Sequence, residues 1–305
     1  MSVPMIPFDA AEPLLDWIGL TEALAAGHRL PRAEIADTFL YRGKDTLLNR
    51  AAWIDGLGIA VKSATVFPGN PDKGQPMVNG GLTLYADDDG RLEAIVDFHL
   101  VTKWKTAGDS LLAARRLARP DSRNILIVGA GNQGRALHAA YSAAFPEAAF
   151  TLWNRTRANA EAMAADLPGL RIADDLEAAV NAADIVTCAT MSTAPLIQGA
   201  WLRPGQHVDL IGAYRPDMRE VDNAALTRAR IFVDSFDTTI GHIGEINIPL
   251  ESGTITRDDL IADYYGLDAF KRQTPKEITL FKNGGGAHLD LMTARYILDR
   301  WTAAA

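Results

Sequence analysis

The residues with the clearest chemistry are those of one glycine-rich turn: Gly129, Ala130, Gly131, Asn132, Gln133 and Gly134. The turn follows a short apolar run (125–128) and precedes an alanine-rich segment that ends before Pro146. A strand, a GxGxxG turn and a helix in this order bind the pyrophosphate of a dinucleotide. The helix N-terminus adds free N–H groups and a positive dipole end. We therefore predict a dinucleotide site at residues 129–134.

The end of the next predicted strand indicates which dinucleotide is bound. Sites for NAD usually place Asp or Glu there, to accept hydrogen bonds from the ribose 2′-hydroxyl. This chain has Asn154, Arg155, Thr156 and Arg157 instead. Guanidinium groups bind a 2′-phosphate, and no carboxylate is present to repel it. The pattern favours NADPH over NADH. The alternative is that the arginines only solvate the start of the next helix.

Further cofactor contacts are expected where other strands of the same sheet end, because cofactors lie at the carboxyl edge of a parallel sheet. Thr190 and Met191 follow the apolar strand at 184–189, and Gly212 follows the strand at 207–211. Asn283 and Gly284 begin a glycine-rich segment that allows close contact with the nicotinamide.

The elements that must position these residues indicate an α/β protein. Strands and helices alternate from residue 121 onward, which predicts a Rossmann-type doubly wound parallel sheet at 121–287. Residues 35–105 read as short strands with turns, including a hairpin at Asp87 to Gly90. A leading helix at 10–28, capped by Asp9 with Glu12, and helices at 106–118 and 289–301 flank them. We predict a β-rich substrate and dimerisation domain at 1–120, completed by residues 288–305.

Composition narrows the function classes. The chain has 305 residues, 48% of them hydrophobic, and a net charge of −8, which argues against nucleic-acid binding. No apolar run is long enough to span a bilayer, and the N-terminus lacks a basic signal region, so we expect a cytoplasmic protein. Cys188 lies in an apolar run and is expected to be buried rather than a nucleophile or a metal ligand. We predict no metal.

Five motifs in order resemble the ornithine cyclodeaminase/mu-crystallin family over nearly the full length. They are GIAVK with VFPGN (58–62, 66–70), KTAGDS (105–110), GAGNQG with WNRT (129–134, 153–156), GAYRPDMREVD (212–222) and KNGGGAHLD (282–290). The resemblance implies a homodimer, with the β-rich domain and the last helix at the interface. It also implies a small anionic cyclic imino acid as substrate.

Within that resemblance, three cations are candidates for the substrate site. Lys62 is predicted to bind the substrate carboxylate or relay a proton, the latter if burial lowers its pKa. Lys105 stands in the family's carboxylate-arginine position, where strand is expected to give way to helix. Either Arg50 or Arg42 replaces the family's first arginine, and we take Arg50 as the substrate-binding candidate. Solvated or interface roles are the alternatives for these side chains.

The details favour a reductase branch. Ornithine cyclodeaminases carry an aspartate where this chain has Tyr214, and such a carboxylate would manage the second amino group of ornithine. The sequence around Tyr214 resembles that of the family branch that reduces Δ1-pyrroline-2-carboxylate to proline, or the six-membered analogue to pipecolate. Ornithine cyclodeaminase, an amino-acid dehydrogenase and a non-catalytic NADPH-binding protein of the mu-crystallin type remain alternatives. His288 is either a proton relay or a structural histidine.

Overall fold

The computed structural model describes residues 3–304. Its chain forms two compact units, Met1–Lys105 together with Gly286–Ala305, and Thr106–Gly285. The sequence prediction divided the chain at 120 and 287 instead. The first of these boundaries was placed after a helix because Pro120 is the turn signal in that stretch, whereas the units divide inside the helix, where the sequence carries no such signal.

Strands and helices are numbered along the chain. The strands are β1 (Met5–Ile6), β2 (Glu34–Arg42), β3 (Asp45–Ile54), β4 (Gly58–Val66), β5 (Val78–Tyr85), β6 (Leu92–Asp97), β7 (Asn124–Val128), β8 (Ala149–Trp153), β9 (Arg171–Ile172), β10 (Ile185–Cys188), β11 (His207–Leu210), β12 (Ala229–Val233), β13 (Leu260–Ala262) and β14 (Ile278–Lys282). The helices are α1 (Phe8–Ala11), α2 (Trp17–Gly27), α3 (Phe98–Leu117), α4 (Asn132–Ala144), α5 (Arg157–Asp166), α6 (Leu176–Ala182), α7 (Asn223–Arg228), α8 (Phe236–Thr239), α9 (Gly244–Glu251) and α10 (Ala287–Ala304).

The first unit contains a sheet in the order β1-β6-β5-β4-β3-β2. Its pairs are antiparallel except β1 with β6. Residues alternate along β4, so that Ala60, Lys62 and Ala64 are buried while their neighbours are partly exposed. Helix α10 packs against β3, β4 and β5. Every residue in its first two turns is buried, so other parts of the first unit cover much of the surface of this helix.

The leading helix differs from its prediction. The structure has a short α1, a 3₁₀ turn at Glu12–Leu14 and an extended Leu15 before α2 begins. Proline has no N–H and restricts the residue before it, so Pro13 ends the first segment. The cap is Asp16, whose carboxylate accepts a hydrogen bond from Gly19 N at 2.6 Å. The prediction that Asp9 caps one continuous helix was wrong.

The start of α3 was also misread. Residues 98–105 are rich in β-formers and were predicted as strand, but the helix begins at Phe98. Asp97 Oδ1 accepts a hydrogen bond from Leu100 N at 2.9 Å, which is the geometry of a helix cap. Lys105 therefore lies inside a helix, and the prediction that it marks a strand-to-helix junction was wrong.

The second unit contains a wholly parallel sheet in the order β13-β12-β14-β11-β10-β7-β8-β9. From β14 to β9 this order is the doubly wound arrangement of dinucleotide-binding folds, which reverses between β7 and β10. Strand β7 is buried from Ile125 to Val128, as a strand covered on both faces must be. The predicted fold class is confirmed. Strands β13 and β14 were not predicted.

No helix within residues 3–304 is both long enough and apolar enough to cross a membrane.

Candidate active site

The glycine turn after β7 has the geometry that the fingerprint predicts. Gly129 has φ of +116°, and a Cβ there would lie 2.7 Å from the Ala189 carbonyl oxygen. A Cβ on Gly134 would lie 2.1 Å from the Gly129 carbonyl oxygen, so only glycine lets α4 approach the turn. A Cβ on Gly131 would meet nothing within 4 Å. Gly131 precedes the first residue of α4, Asn132, with no side chain capping the helix. The helix N–H groups are thus available to phosphate oxygens.

The residues after β8 play different parts from one another. Asn154 Oδ1 accepts from Ala130 N at 3.0 Å, and its amide donates to the Thr156 carbonyl at 2.8 Å, so Asn154 fastens the strand end to the glycine turn. Arg157 pairs with Glu161 at 3.0 Å and also with Asp174. Arg155 is exposed and makes no ion pair within residues 3–304. Of the two guanidiniums, Arg155 is the one not already shared with carboxylates.

A buried glutamate joins the loops that follow β10 and β11. Glu220 Oε1 accepts from Thr190 N and Oγ1 at 2.8 and 2.9 Å, and its Oε2 accepts from Gly212 N at 2.7 Å. A Cβ on Gly212 would lie 1.7 Å from the Thr190 carbonyl oxygen, which explains the glycine. Met191, next to Thr190, is 74% exposed. Glu220 was not among the predicted site residues, and the structure makes it the residue that positions both predicted loops.

A second glutamate lies behind the first. Glu245, on α9, is fully buried and accepts from Glu220 N at 2.6 Å and Val221 N at 3.2 Å. Burial first, and then repulsion from Glu220, raise the pKa of Glu245 to about 7. Two carboxyl groups this close in the interior resist being charged together.

The segment after β14 is built into the second unit. The Asn283 amide donates to the Thr106 carbonyl at 3.0 Å and to Ser110 Oγ at 3.1 Å. A Cβ on Gly284 would lie 2.6 Å from Thr239 Oγ1. The side chain of Asn283 is therefore engaged with α3. Its backbone is engaged as well, because its N–H donates to the Leu210 carbonyl at 3.0 Å and its carbonyl accepts from Lys282 Nζ at 2.7 Å. The nicotinamide contact that the sequence suggested stays a prediction.

The first unit holds a cluster of buried charges, which we call the lysine–aspartate cluster: Lys62 on β4, Lys105 on α3 and Asp290 on α10. Lys62 Nζ lies 2.6 Å from Asp290 Oδ1, and Lys105 Nζ lies 3.7 Å from the same oxygen. Lys62, Lys105 and Asp290 are 6%, 5% and 1% exposed. The structure thus brings the two predicted lysines together around a carboxylate that the prediction did not include.

The charges of the cluster tune one another. Burial lowers the pKa of Lys62 to about 8, with Asp290 opposing the fall and Lys105 and Arg50 adding to it. Burial by itself would raise the pKa of Asp290, but the attraction of Lys105, Lys62 and Arg50 outweighs burial and lowers it. Asp290 is therefore a carboxylate, and Lys62 is an ammonium ion that gives up its proton unusually easily.

The two candidate arginines are placed differently. Arg50 on β3 lies directly opposite Lys62 in the antiparallel register and forms an ion pair with Asp37, with Nη2 2.9 Å from Oδ2. The Arg42 side chain is 80% exposed and pairs with Asp45. Arg50 is close enough to contribute to the lowered pKa of both Lys62 and Asp290, whereas Arg42 lies on the exposed surface. The geometry favours Arg50 as the third cation, but its substrate-binding role stays a prediction.

His288 is the second residue of α10 and faces His28, with ring centroids 5.2 Å apart. Burial, followed by the cationic side chains around it, lowers the pKa of His288 well below its usual value. A neutral imidazole in this place suits a structural histidine better than a proton relay. Cys188 is buried, and burial raises the pKa of its thiol.

Two sites with different chemistry result. The second unit presents a glycine turn and a helix N-terminus suited to a dinucleotide pyrophosphate. The first unit presents the lysine–aspartate cluster, which is net positive and suits a small carboxylate. One of its lysines, Lys62, has a lowered pKa. No group of three or more His, Cys, Asp or Glu side chains within residues 3–304 could hold a metal ion. Asp290 was missed because its partner Lys62 is distant in sequence.

The chain is similar to known proteins. Residues 54–305 match the ornithine cyclodeaminase/mu-crystallin family. A protein of Paracoccus denitrificans, Delta(1)-pyrroline-2-carboxylate reductase, is 52% identical over 291 residues, covering 93% of this chain and 92% of that protein.

Two solved structures are similar over nearly their whole length. One is Thermococcus litoralis Delta(1)-pyrroline-2-carboxylate reductase in complex with NADH and L-proline, 25% identical, with a TM-score of 0.89 and coverage of 98% of each chain. The other is an archaeal alanine dehydrogenase dimer with bound NAD, also 25% identical, with a TM-score of 0.90 and coverage of 100% and 97%.

Proposed function

Because this chain belongs to the ornithine cyclodeaminase/mu-crystallin family, we propose that it reduces a cyclic imino acid with a nicotinamide nucleotide. The substrate is Δ1-pyrroline-2-carboxylate, Δ1-piperideine-2-carboxylate or both, giving proline or pipecolate. The 52% identical reductase supports this reaction, as does the neighbour that holds NADH and L-proline. One methylene in an apolar pocket is worth only about 1–3 kcal/mol, so both ring sizes are expected to react.

The observation that carries the proposal is the lysine–aspartate cluster. Two lysines lie around one carboxylate in a buried site, so these three side chains together are net positive. A buried charge is costly unless it is paired, which favours an anionic ligand. The Arg50 charge is already shared with Asp37. A substrate carboxylate would be attracted to the two lysines.

The reaction needs a hydride, a carboxylate clamp and one proton. The bound nucleotide supplies the hydride. Lys105 binds the substrate carboxylate as a point charge, without the fork geometry of an arginine. Lys62 gives its proton to the imine nitrogen as the hydride adds to the neighbouring carbon, and the electron pair of the C=N bond moves to nitrogen. Lys62 then regains a proton from water. Its pKa of about 8 suits proton transfer near neutral pH.

Ornithine cyclisation is not supported by the residues present. The position of the cyclodeaminase aspartate is Tyr214, which is 58% exposed and stacks against the Arg215 guanidinium. Tyr214 has no carboxylate to hold a second amino group. We therefore expect no ammonia release from ornithine. Detection of ammonia would favour the cyclodeaminase alternative.

We propose NADPH as the preferred nucleotide, with NADH also accepted. Asn154 stands where an acid would repel a 2′-phosphate, and Arg155 and Thr156 supply a cation and a hydroxyl. Arg157 contributes less, because Glu161 and Asp174 already hold it. Arg155→Ala is expected to weaken NADPH binding about tenfold and leave NADH binding unchanged, measured by nucleotide fluorescence. An equal loss for both nucleotides would contradict this assignment.

We also propose a homodimer formed through the β2 edge of the first sheet. Nearly every residue of β2 is exposed, including Phe39, Leu40 and Tyr41 at 48%, 58% and 72%. A long apolar edge strand needs a cover. Leu40→Lys with Tyr41→Lys should yield monomers by light scattering. The control is Ile261→Lys, which places a lysine on the exposed part of the other sheet's edge strand. A dimer that survives the double change would contradict the proposal.

The deciding experiment follows NADPH oxidation with both cyclic imino acids. We expect turnover that falls by about 10²–10⁴ in kcat/KM in Lys62→Met, the range for a lost general acid. Lys73→Met is the matched control, because Lys73 is an exposed lysine that does not belong to the cluster. No turnover by a protein that binds NADPH would overturn the proposal and favour a binding protein.

A further inference from the structure

The lysine–aspartate cluster contains one carboxylate, that of Asp290, whose role goes beyond the proposed reaction. Asp290 is the fourth residue of α10 and is 1% exposed. Its Oδ1 accepts from Lys62 Nζ at 2.6 Å, a short charge-assisted hydrogen bond. Its Oδ2 accepts no hydrogen bond from any residue in 3–304. Asp290 thus directs one oxygen to Lys62 and retains acceptor capacity on the other.

The charged groups that face Lys62 from the neighbouring elements are two cations and one anion. Arg50 lies opposite it on β3, and Lys105 reaches the same carboxylate from α3. The residue opposite Lys62 on β5 is the uncharged Leu82, and the Phe98 ring lies 5.7 Å from Lys62 Nζ. On α10, Asp290 is accompanied by His288, which is neutral. Asp290 is the only anion that bonds Lys62 within the described chain.

Burial and two nearby cations each favour the neutral amine of Lys62. Without an opposing charge, Lys62 would lose its proton well below neutral pH, as fully buried lysines do. It could then not act as an acid at the pH of a cell. The carboxylate also fixes the position of the ammonium group, because a lysine has a flexible stem of four carbons.

We propose that Asp290 is a positioning residue, which holds Lys62 in place as an ammonium ion so that Lys62 can protonate the substrate nitrogen. Asp290 touches neither the transferred hydride nor the leaving proton. Removing its charge is expected to displace the titration of Lys62 downward by about 1–3 pH units, the range for an opposite charge within about 4–6 Å. This inference rests on the proposed function for its kinetic consequence only.

The first test needs no substrate. Lysines acetylate as free amines, so trace acetic anhydride at a series of pH values, read by peptide mass spectrometry, gives the titration midpoint of Lys62 in the intact protein. Asp290→Asn is expected to lower that midpoint, and Lys105→Gln, which removes a cation, to raise it. Asp45→Asn is the matched control, because Asp45 pairs with the exposed Arg42. An unchanged or raised midpoint in Asp290→Asn would overturn the inference.

The second test is the pH profile of kcat/KM for imine reduction. In Asp290→Asn the alkaline limb of the profile should move to lower pH together with the labelling midpoint. Activity that is lost at pH 8 should then return in part near pH 6. A merely structural defect would instead lower kcat/KM by the same factor at every pH. Should Asp290→Asn fail to fold, Lys105→Gln decides alone: a midpoint that does not rise contradicts the coupling. Shifted labelling without imine turnover would refute the proposed function but not the role of Asp290.

Discussion

Replacing Glu245 with glutamine should destabilise the protein at low pH and stabilise it at high pH. Glu245 lies under the loops that Glu220 holds, and it accepts from Glu220 N and Val221 N. Glutamine is nearly isosteric with a protonated glutamate, but it carries one carbonyl oxygen instead of two acceptors. The substitution removes the titration while keeping the shape, so the pH dependence of its effect isolates the buried charge.

The magnitude follows from the pKa of Glu245, which is about 7 in the folded chain and 4.5 as an ordinary glutamate. Between these values the folded state binds more protons than the unfolded state, so the free energy of unfolding falls as pH rises. A shift of about 2.5 units, from 4.5 to about 7, costs about 3 kcal/mol once Glu245 is ionised. Glu245→Gln does not have this cost, because glutamine does not ionise. Its weaker hydrogen bonding lowers the free energy of unfolding by about 1 kcal/mol.

We therefore expect Glu245→Gln to be about 1 kcal/mol less stable than the parent at pH 4, about equally stable near pH 5 and about 2 kcal/mol more stable at pH 8. Urea unfolding followed by circular dichroism at four pH values measures the difference. Glu251→Gln is the control, since Glu251 ends the same helix on an exposed surface. A stability difference that does not change sign, or that becomes more unfavourable as pH rises, would refute the reasoning.

Three shorter predictions concern other residues. Gly134→Ala should abolish nucleotide binding and destabilise the fold, because the new Cβ would lie 2.1 Å from a backbone oxygen. Gly131→Ala should fold normally, because its Cβ would meet nothing within 4 Å, and a fluorescence titration should show weaker NADPH binding. Cys188 should not react with a thiol reagent until urea unfolds the protein. If Cys188 in the folded protein reacted as fast as an exposed cysteine does, its burial would be contradicted. Asp16→Ala should cost about 0.5–2 kcal/mol of stability by removing a helix cap, and an unchanged melting temperature would argue against that cap.

The Rossmann part of the fold could be predicted because its signals are local. The glycine turn, the apolar run before it and the helix after it occupy neighbouring residues, and the structure confirms each of them. Strand β14 was missed because its partners in the sheet are β11 and β12, which are distant along the chain. Strand β13 has three residues, too few for a pattern to show.

Local composition misled where a single polar residue decides the structure. Residues 98–105 contain phenylalanine, valine, threonine and tryptophan, which favour strands. The Asp97 cap and the burial of Phe98, Leu100, Val101 and Trp104 make this stretch helical instead. Propensity is a weak preference, and the spacing of these buried residues fits one face of a helix.

The candidate site shows the same division between what is local and what is distant. Lys62 and Lys105 could be chosen from the sequence because each belongs to a recognisable segment. Asp290 could not, because its bond to Lys62 joins positions 228 residues apart. The omission changes the chemistry: three converging cations would only bind an anion, whereas two lysines around a buried carboxylate also keep one of them protonated. A site of this kind can hold a carboxylate and donate a proton with the same pair of side chains, which is what the reduction of an imino acid requires.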